Sequence, residues 1–78
     1  MNSVTVYTTS SCSYCVMLKN YLTQNNVPFK EVDVGANPEM MMKLVSKTGQ
    51  LGVPQTEVNG QWVLGFDPNR IMNALRNS

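Results

Sequence analysis

The chain has 78 residues, 42% of them hydrophobic, and a formal net charge of +1. A chain this short buries only roughly 60–65% of its unfolded surface, enough for one hydrophobic core and not two. Two cysteines and no histidine exclude a multi-disulfide scaffold, Ser-His-Asp and Cys-His catalysis, and a zinc site of the Cys/His kind. Lys19, Lys30, Lys43, Lys47, Arg70 and Arg76 are spread along the chain, which gives no basic footprint for nucleic acid. No apolar run approaches the roughly 20 residues that span a bilayer, and Met1-Asn2-Ser3 has neither the charged nor the apolar region of a secretory signal. The expectation is a single domain over residues 1–78, monomeric and cytoplasmic. Its cysteines are then reduced at rest, and any disulfide is transient and chemical.

Ser3 to Thr8 sets Val4 and Val6 against Thr5 and Tyr7 and reads as a strand. After the polar Thr9-Ser10-Ser11, residues Cys12 to Gln24 place Cys15, Leu18 and Leu22 at helical spacing, with Ser11 or Cys12 as N-cap. Asn25-Asn26 ends that helix, and Pro28 holds Val27 extended. Phe29 to Val34 is a second strand. Asn37-Pro38-Glu39 starts a second helix, with an amide cap, proline at the first helical position and an acid in the first turn. Gly49 is its expected C-cap. Pro54–Val58 and Gln61–Leu64 flank Asn59-Gly60, the pair that suits a type I′ hairpin. Asp67-Pro68 repeats the cap-and-proline device and opens a last helix, with Ile71, Met72 and Leu75 expected to face inward. Met40, Met41, Met42 and Met72 read as gap-filling core residues, and Trp62, in mid-strand, as core.

The order is βαβαββα. A strand-helix-strand crossover makes the first two strands parallel, and the hairpin adds two antiparallel ones. The expected fold class is therefore α/β, a four-stranded mixed sheet with helices on both faces.

Cys12-Ser13-Tyr14-Cys15 lies where the first strand ends and the first helix begins. Free amides and the helix dipole there favour negative charge, and a thiol so placed titrates at roughly 3.5–7.5 instead of ~8.5. The thiolate is the nucleophile of disulfide exchange. Cys12, at the tip, is the expected attacker. Cys15, one turn in and core-facing, is the expected resolving cysteine, which releases the reduced substrate and leaves a Cys12–Cys15 disulfide. Val53-Pro54 is the second feature. Proline at the head of a strand needs no special explanation, and base rates for X–Pro bonds favour trans.

Across nearly its whole length the chain resembles the glutaredoxins of the thioredoxin superfamily, including the small redoxins that feed ribonucleotide reductase. The resemblance is carried by Val4-Thr5-Val6-Tyr7-Thr8, Cys12-Ser13-Tyr14-Cys15, Val32-Asp33-Val34, Gly52-Val53-Pro54-Gln55 and Gly65-Phe66-Asp67. It implies a thioredoxin-like fold, a cis peptide before Pro54, and pairing of the Val53 backbone with the main chain of a substrate. It also implies substrate contacts from Ser11, Ser13, Tyr14, Gly65, Phe66 and Asp67. Glutathione enters as a co-substrate and not as a tightly bound cofactor. The substrate is a disulfide-containing protein such as ribonucleotide reductase, or a glutathione mixed disulfide, and the electron donor is glutathione or thioredoxin reductase. Three departures weaken the glutathione side of this. Thr9 stands where glutathione users carry a basic residue, Gly52 where they carry threonine, and Gly65-Phe66-Asp67-Pro68 keeps one glycine and one acid. Asp67 serves a glutathione ammonium group, a helix cap, or both. Tyr7, Tyr14 and Phe66 are expected to line a shallow apolar groove beside Cys12.

Two other readings use the same cysteines. In one, two chains pair their thiolates around zinc or an iron–sulfur cluster. In the other, the cysteines are inert in a protein-interaction domain.

Overall fold

A computed structural model describes residues 2–77. In chain order the elements are β1 Val4–Thr8, α1 Ser13–Gln24, β2 Lys30–Asp33, α2 Pro38–Thr48, β3 Gln55–Val58, β4 Gln61–Leu64 and α3 Pro68–Arg76. The sheet order is β2-β1-β3-β4, with β1 parallel to β2, antiparallel to β3, and β3 antiparallel to β4. The ladders stop short of Ser3, Phe29, Val34 and Pro54, each a residue inside the extent expected for its strand.

Alternation along the strands decides which side each helix covers. Val4 and Val6 of β1, Val58 of β3 and Val63 of β4 point to one face, where they meet Leu18 and Leu22 of α1 and Ile71 and Ala74 of α3. This is the core, and leucines buried as completely as Leu18 and Leu22 contribute about 2–5 kcal/mol each relative to alanine. The other face carries Tyr7 and Trp62, covered by α2 through Met40 and Leu44. Helices therefore lie on both faces.

The local signals behave as their chemistry requires. Asn37 accepts the Met40 N–H at 3.3 Å, and Gly49 closes α2 at φ +71, its N–H donating to the Val45 carbonyl at 2.7 Å. Asn59 and Gly60 both have positive φ, as a type I′ turn demands.

Three packing expectations change. On α3 Ile71 and Ala74 are fully buried and Leu75 packs against the core as expected, while Met72 is only half-buried and Ala74 takes an inward place not expected of it. The helix spans Pro68–Arg76. The methionines of α2 are not core: Met42 is 73% exposed and only Leu44 is fully buried, because α2 covers its face along one stripe. Trp62 is half-buried, its ring 5.5 Å from that of Tyr7 on the α2 side.

Candidate active site

The loop leaving β1 delivers Cys12 to the tip of α1 in an extended conformation (φ −99, ψ 108), so that Cys12 is itself the N-cap. Its Sγ accepts the Cys15 N–H at 3.1 Å. No acidic side chain occupies the first turn of α1, so the electropositive end of the helix has this sulfur as its local acceptor. Cys12 is half-buried and Cys15 is 1% exposed. One sulfur is thus open to a partner and the other is sealed beneath it. The two form a disulfide, with Cα atoms 5.2 Å apart. Ser11 and Ser13 are exposed on either side, and Tyr14 stands 61% exposed beside them.

The second component arrives from 41 residues away. The Val53 carbonyl lies 3.8 Å from Cys12 Sγ. In the disulfide that sulfur has no proton, so this is a contact; in the dithiol, an S–H there has an acceptor waiting. Val53–Pro54 is cis, in line with the resemblance and against the base rate. The loop around it is held on both sides. The Pro54 carbonyl accepts the Gly65 N–H at 2.9 Å, and Gln55 Nε2 donates to the carbonyls of Gln50 (3.0 Å) and Gly52 (2.8 Å). Between these ties the Val53 N–H has no hydrogen-bond partner among the described residues. A cavity of about 170 Å³ adjoins the loop, lined by Gln50, Gly52, Val53, Pro54, Leu64 and Gly65 among others.

Asp67 caps α3, one carboxylate oxygen accepting the Arg70 N–H at 3.2 Å and the other lying 3.9 Å from Arg70 Nε. Phe66 meets Tyr21 edge-on at 6.3 Å, and Tyr21 lies two helical turns from Tyr14. Tyr7 pairs with Trp62 under α2. The three aromatic residues expected to form one groove are therefore divided among different packing partners. Alternation along β1 turns Tyr7 to the α2 face, and the hairpin carries Phe66 to the middle of α1.

Two groups near the site were not singled out in the sequence. Thr8, the buried last residue of β1, donates to Glu31 at 2.8 Å, and Glu31 also accepts Lys19 Nζ at 2.8 Å. The Lys19 hydrogen bond is the largest cause, and that of Thr8 the next, of a Glu31 pKa below the ordinary carboxylate value. This triad ties α1 to β2. The second is Gln55, a polar side chain directly after the proline and 1% exposed. Alternation along β3 sets Gln55 with Glu57, opposite the core-facing Thr56 and Val58, so its burial had no signal in the strand pattern. Among the described residues no group of three or more His, Cys, Asp or Glu side chains is placed to hold a metal ion, and no helix is long and apolar enough to cross a membrane.

Comparison with known proteins agrees with this geometry. The glutaredoxin family model matches residues 4–63. A glutaredoxin of Pseudomonas aeruginosa is 36% identical, the match covering 86% of this chain and 80% of that one. Glutaredoxin 3 of Escherichia coli is 30% identical over 95% of this chain and 89% of its own. Among solved structures, the glutaredoxin of Archaeoglobus fulgidus superposes with a TM-score of 0.85 at 22% identity, covering 97% of this chain and 88% of that one; at that identity it shows the shared thioredoxin-like fold. The chain belongs to the glutaredoxin family, and it is a thiol–disulfide oxidoreductase whose redox-active pair is Cys12 and Cys15.

Proposed function

We propose that this glutaredoxin reduces protein disulfides, with Cys12 as nucleophile and Cys15 as resolving thiol. The observation that carries the division of labour is the Cys15 N–H aimed at a half-exposed Cys12 sulfur, with the Cys15 sulfur itself buried. A donor pointed at the sulfur favours its thiolate. The Cys12 thiolate attacks one sulfur of the substrate disulfide. The Cys12–substrate bond forms as the substrate S–S bond breaks, and the departing thiolate takes up a proton. Cys15 then loses its proton and attacks Cys12 Sγ, which expels the second substrate thiolate to be protonated in turn. Two electrons and two protons pass to the substrate, and the protein is left as the Cys12–Cys15 disulfide.

Docking rests on Val53. Its N–H is unpaired and its carbonyl faces Cys12, so an extended substrate segment can add to it as a short strand. The family uses glutathione as a co-substrate. In this chain no Lys or Arg occurs in residues 9–18, 48–54 or 65–67, and the bordering Lys19 is paired with Glu31 at 2.8 Å, which favours a partner other than the two carboxylates of glutathione. The same uncharged rim, with Tyr14 and Leu51 exposed at 61% and 68%, suits a protein surface. Ribonucleotide reductase is one such substrate, thioredoxin reductase the donor we favour over glutathione, and a monomer in the cytoplasm the setting.

The test compares NADPH-driven turnover through thioredoxin reductase with turnover through glutathione and glutathione reductase. The expected result is faster reduction in the first arm, with Thr9→Lys raising the second arm alone. A wild-type protein that prefers the glutathione arm, and that Thr9→Lys leaves unchanged, sinks the substrate assignment.

A further inference from the structure

Gln55 is 1% exposed, and both donors of its amide are spent on the loop before Pro54, at the carbonyls of Gln50 and Gly52. Its Oε1 is buried without a partner among the described residues. A buried unpaired acceptor is costly, and an apolar side chain of similar shape would occupy the same space without that cost. What leucine or methionine cannot supply is two N–H groups aimed at two carbonyls of one loop.

Those carbonyls immediately precede the one that matters. The Gly65 N–H holds the Pro54 carbonyl from the other side. Residues 50 to 54 are thereby clamped at Gln50, Gly52 and Pro54; the N–H groups of Leu51, Gly52 and Val53 have no hydrogen-bond partner among the described residues, and of the three Val53 turns its carbonyl to Cys12 Sγ, at 3.8 Å. Position 52 adds no side-chain restraint, since a Cβ built on Gly52 would meet nothing within 4 Å. The restraint is polar: Gln55 holds the Gln50 and Gly52 carbonyls, Thr48 Oγ1 accepts the Gln50 N–H at 3.2 Å, and the Gly65 N–H holds Pro54.

We propose that Gln55 is a positioning residue for substrate docking: its side-chain amide pre-orders residues 50–53, so that the Val53 backbone is presented to the incoming disulfide segment beside Cys12. This rests on the Val53 docking reading and assigns it a determinant that lies outside the contact surface. Gln55 does not touch the sulfur, so its effect falls on binding and not on the chemistry of the thiolate.

The experiment uses the full chain carrying Gln55→Leu, with Gln55→Met as a second variant of the same length, each checked to melt near the wild type. Three quantities are measured on each. Backbone order parameters for Leu51, Gly52 and Val53 are expected to fall from the rigid range, about 0.85, to below about 0.6. KM for insulin, used as the protein disulfide, is expected to rise about tenfold with kcat unchanged, since a loop that must be ordered on binding weakens association. The thiolate absorbance titration of Cys12 is expected not to move. Unchanged order parameters overturn the inference alone, because Gln55 then holds nothing. A loosened loop with an unchanged KM overturns the docking role of Val53 and, with it, the part given to Gln55. A shifted thiol titration with constant KM shows action through the sulfur and overturns the inference as well.

Discussion

The N-termini of α1 and α2 follow one plan with a different atom at its centre. At α2, Asn37 sits extended as N-cap, its oxygen accepts the Met40 N–H at 3.3 Å, and Pro38 and Glu39 complete the first turn. At α1, Cys12 sits extended as N-cap, its sulfur accepts the Cys15 N–H at 3.1 Å, and neither proline nor acid follows. An amide oxygen is a good acceptor in its resting state, so the α2 cap only stabilises. A thiol sulfur is a weak acceptor and a thiolate a strong one. The α1 cap is therefore satisfied best when its sulfur is charged. Leaving the acid out of that first turn keeps the helix end free for this charge. The same capping geometry supports folding at one helix and reactivity at the other.

The sharpest way to break the comparison is Cys12→Ser. Serine is a preferred N-cap, so urea unfolding of the reduced proteins should show stability equal to or above wild type, while disulfide reduction drops to background, a loss of more than about a thousandfold. Retained turnover would mean that the cap and the nucleophile are different groups. Asn37→Ala should do the reverse: a cost of about 1 kcal/mol in chemical denaturation, with turnover per folded molecule kept.

A third test concerns the other attachment of α1. Glu31, bound by Lys19 and Thr8, has a lowered pKa in the folded protein. Its contribution is thus fully present above the ordinary carboxylate pKa and is lost as pH falls through the folded value. Glu31→Gln should flatten the acid side of the stability–pH curve and leave it parallel to wild type near neutrality; an unaltered acid limb would show that the triad contributes nothing. The smallest effect is expected at α3. Asp67→Asn keeps the capping oxygen and removes only an exposed pair with Arg70, so stability should change by less than about 0.5 kcal/mol. A larger loss in a thermal melt would give the pair a weight that its 3.9 Å separation does not suggest.

Much of the site was legible before any coordinates, for reasons of range. Cys12 and Cys15 stand one turn apart at a strand-to-helix junction, and the asymmetry of their exposure follows from helical periodicity alone. Asn37, Gly49 and Asp67 act on backbone groups within four residues of themselves, and Asn59-Gly60 sets the turn by its own backbone, so these roles can be read from neighbours. Family resemblance, and not local pattern, supplied the cis bond before Pro54 and the part given to Val53. Tyr7 and Phe66 were expected beside Cys12 as the lining of one apolar groove, and Trp62 in the core because it stands mid-strand. Their partners are chosen across the sheet: Tyr7 lies over Trp62 of β4, on a strand not adjacent to its own. Met42 was misjudged because a helical stripe shows which residues share a side but not how wide a sheet lies beneath it.

What the chain encodes locally is the set of seven elements, their caps and turns, and the position of the cysteine pair, since each depends on backbone and side-chain groups a few residues apart. Tertiary structure alone decided that Val53 would stand over Cys12 from 41 residues away and that Glu31 would bind Thr8 and Lys19 together. Those contacts depend on strand order and register, which bring distant residues within hydrogen-bonding distance only after the sheet has closed.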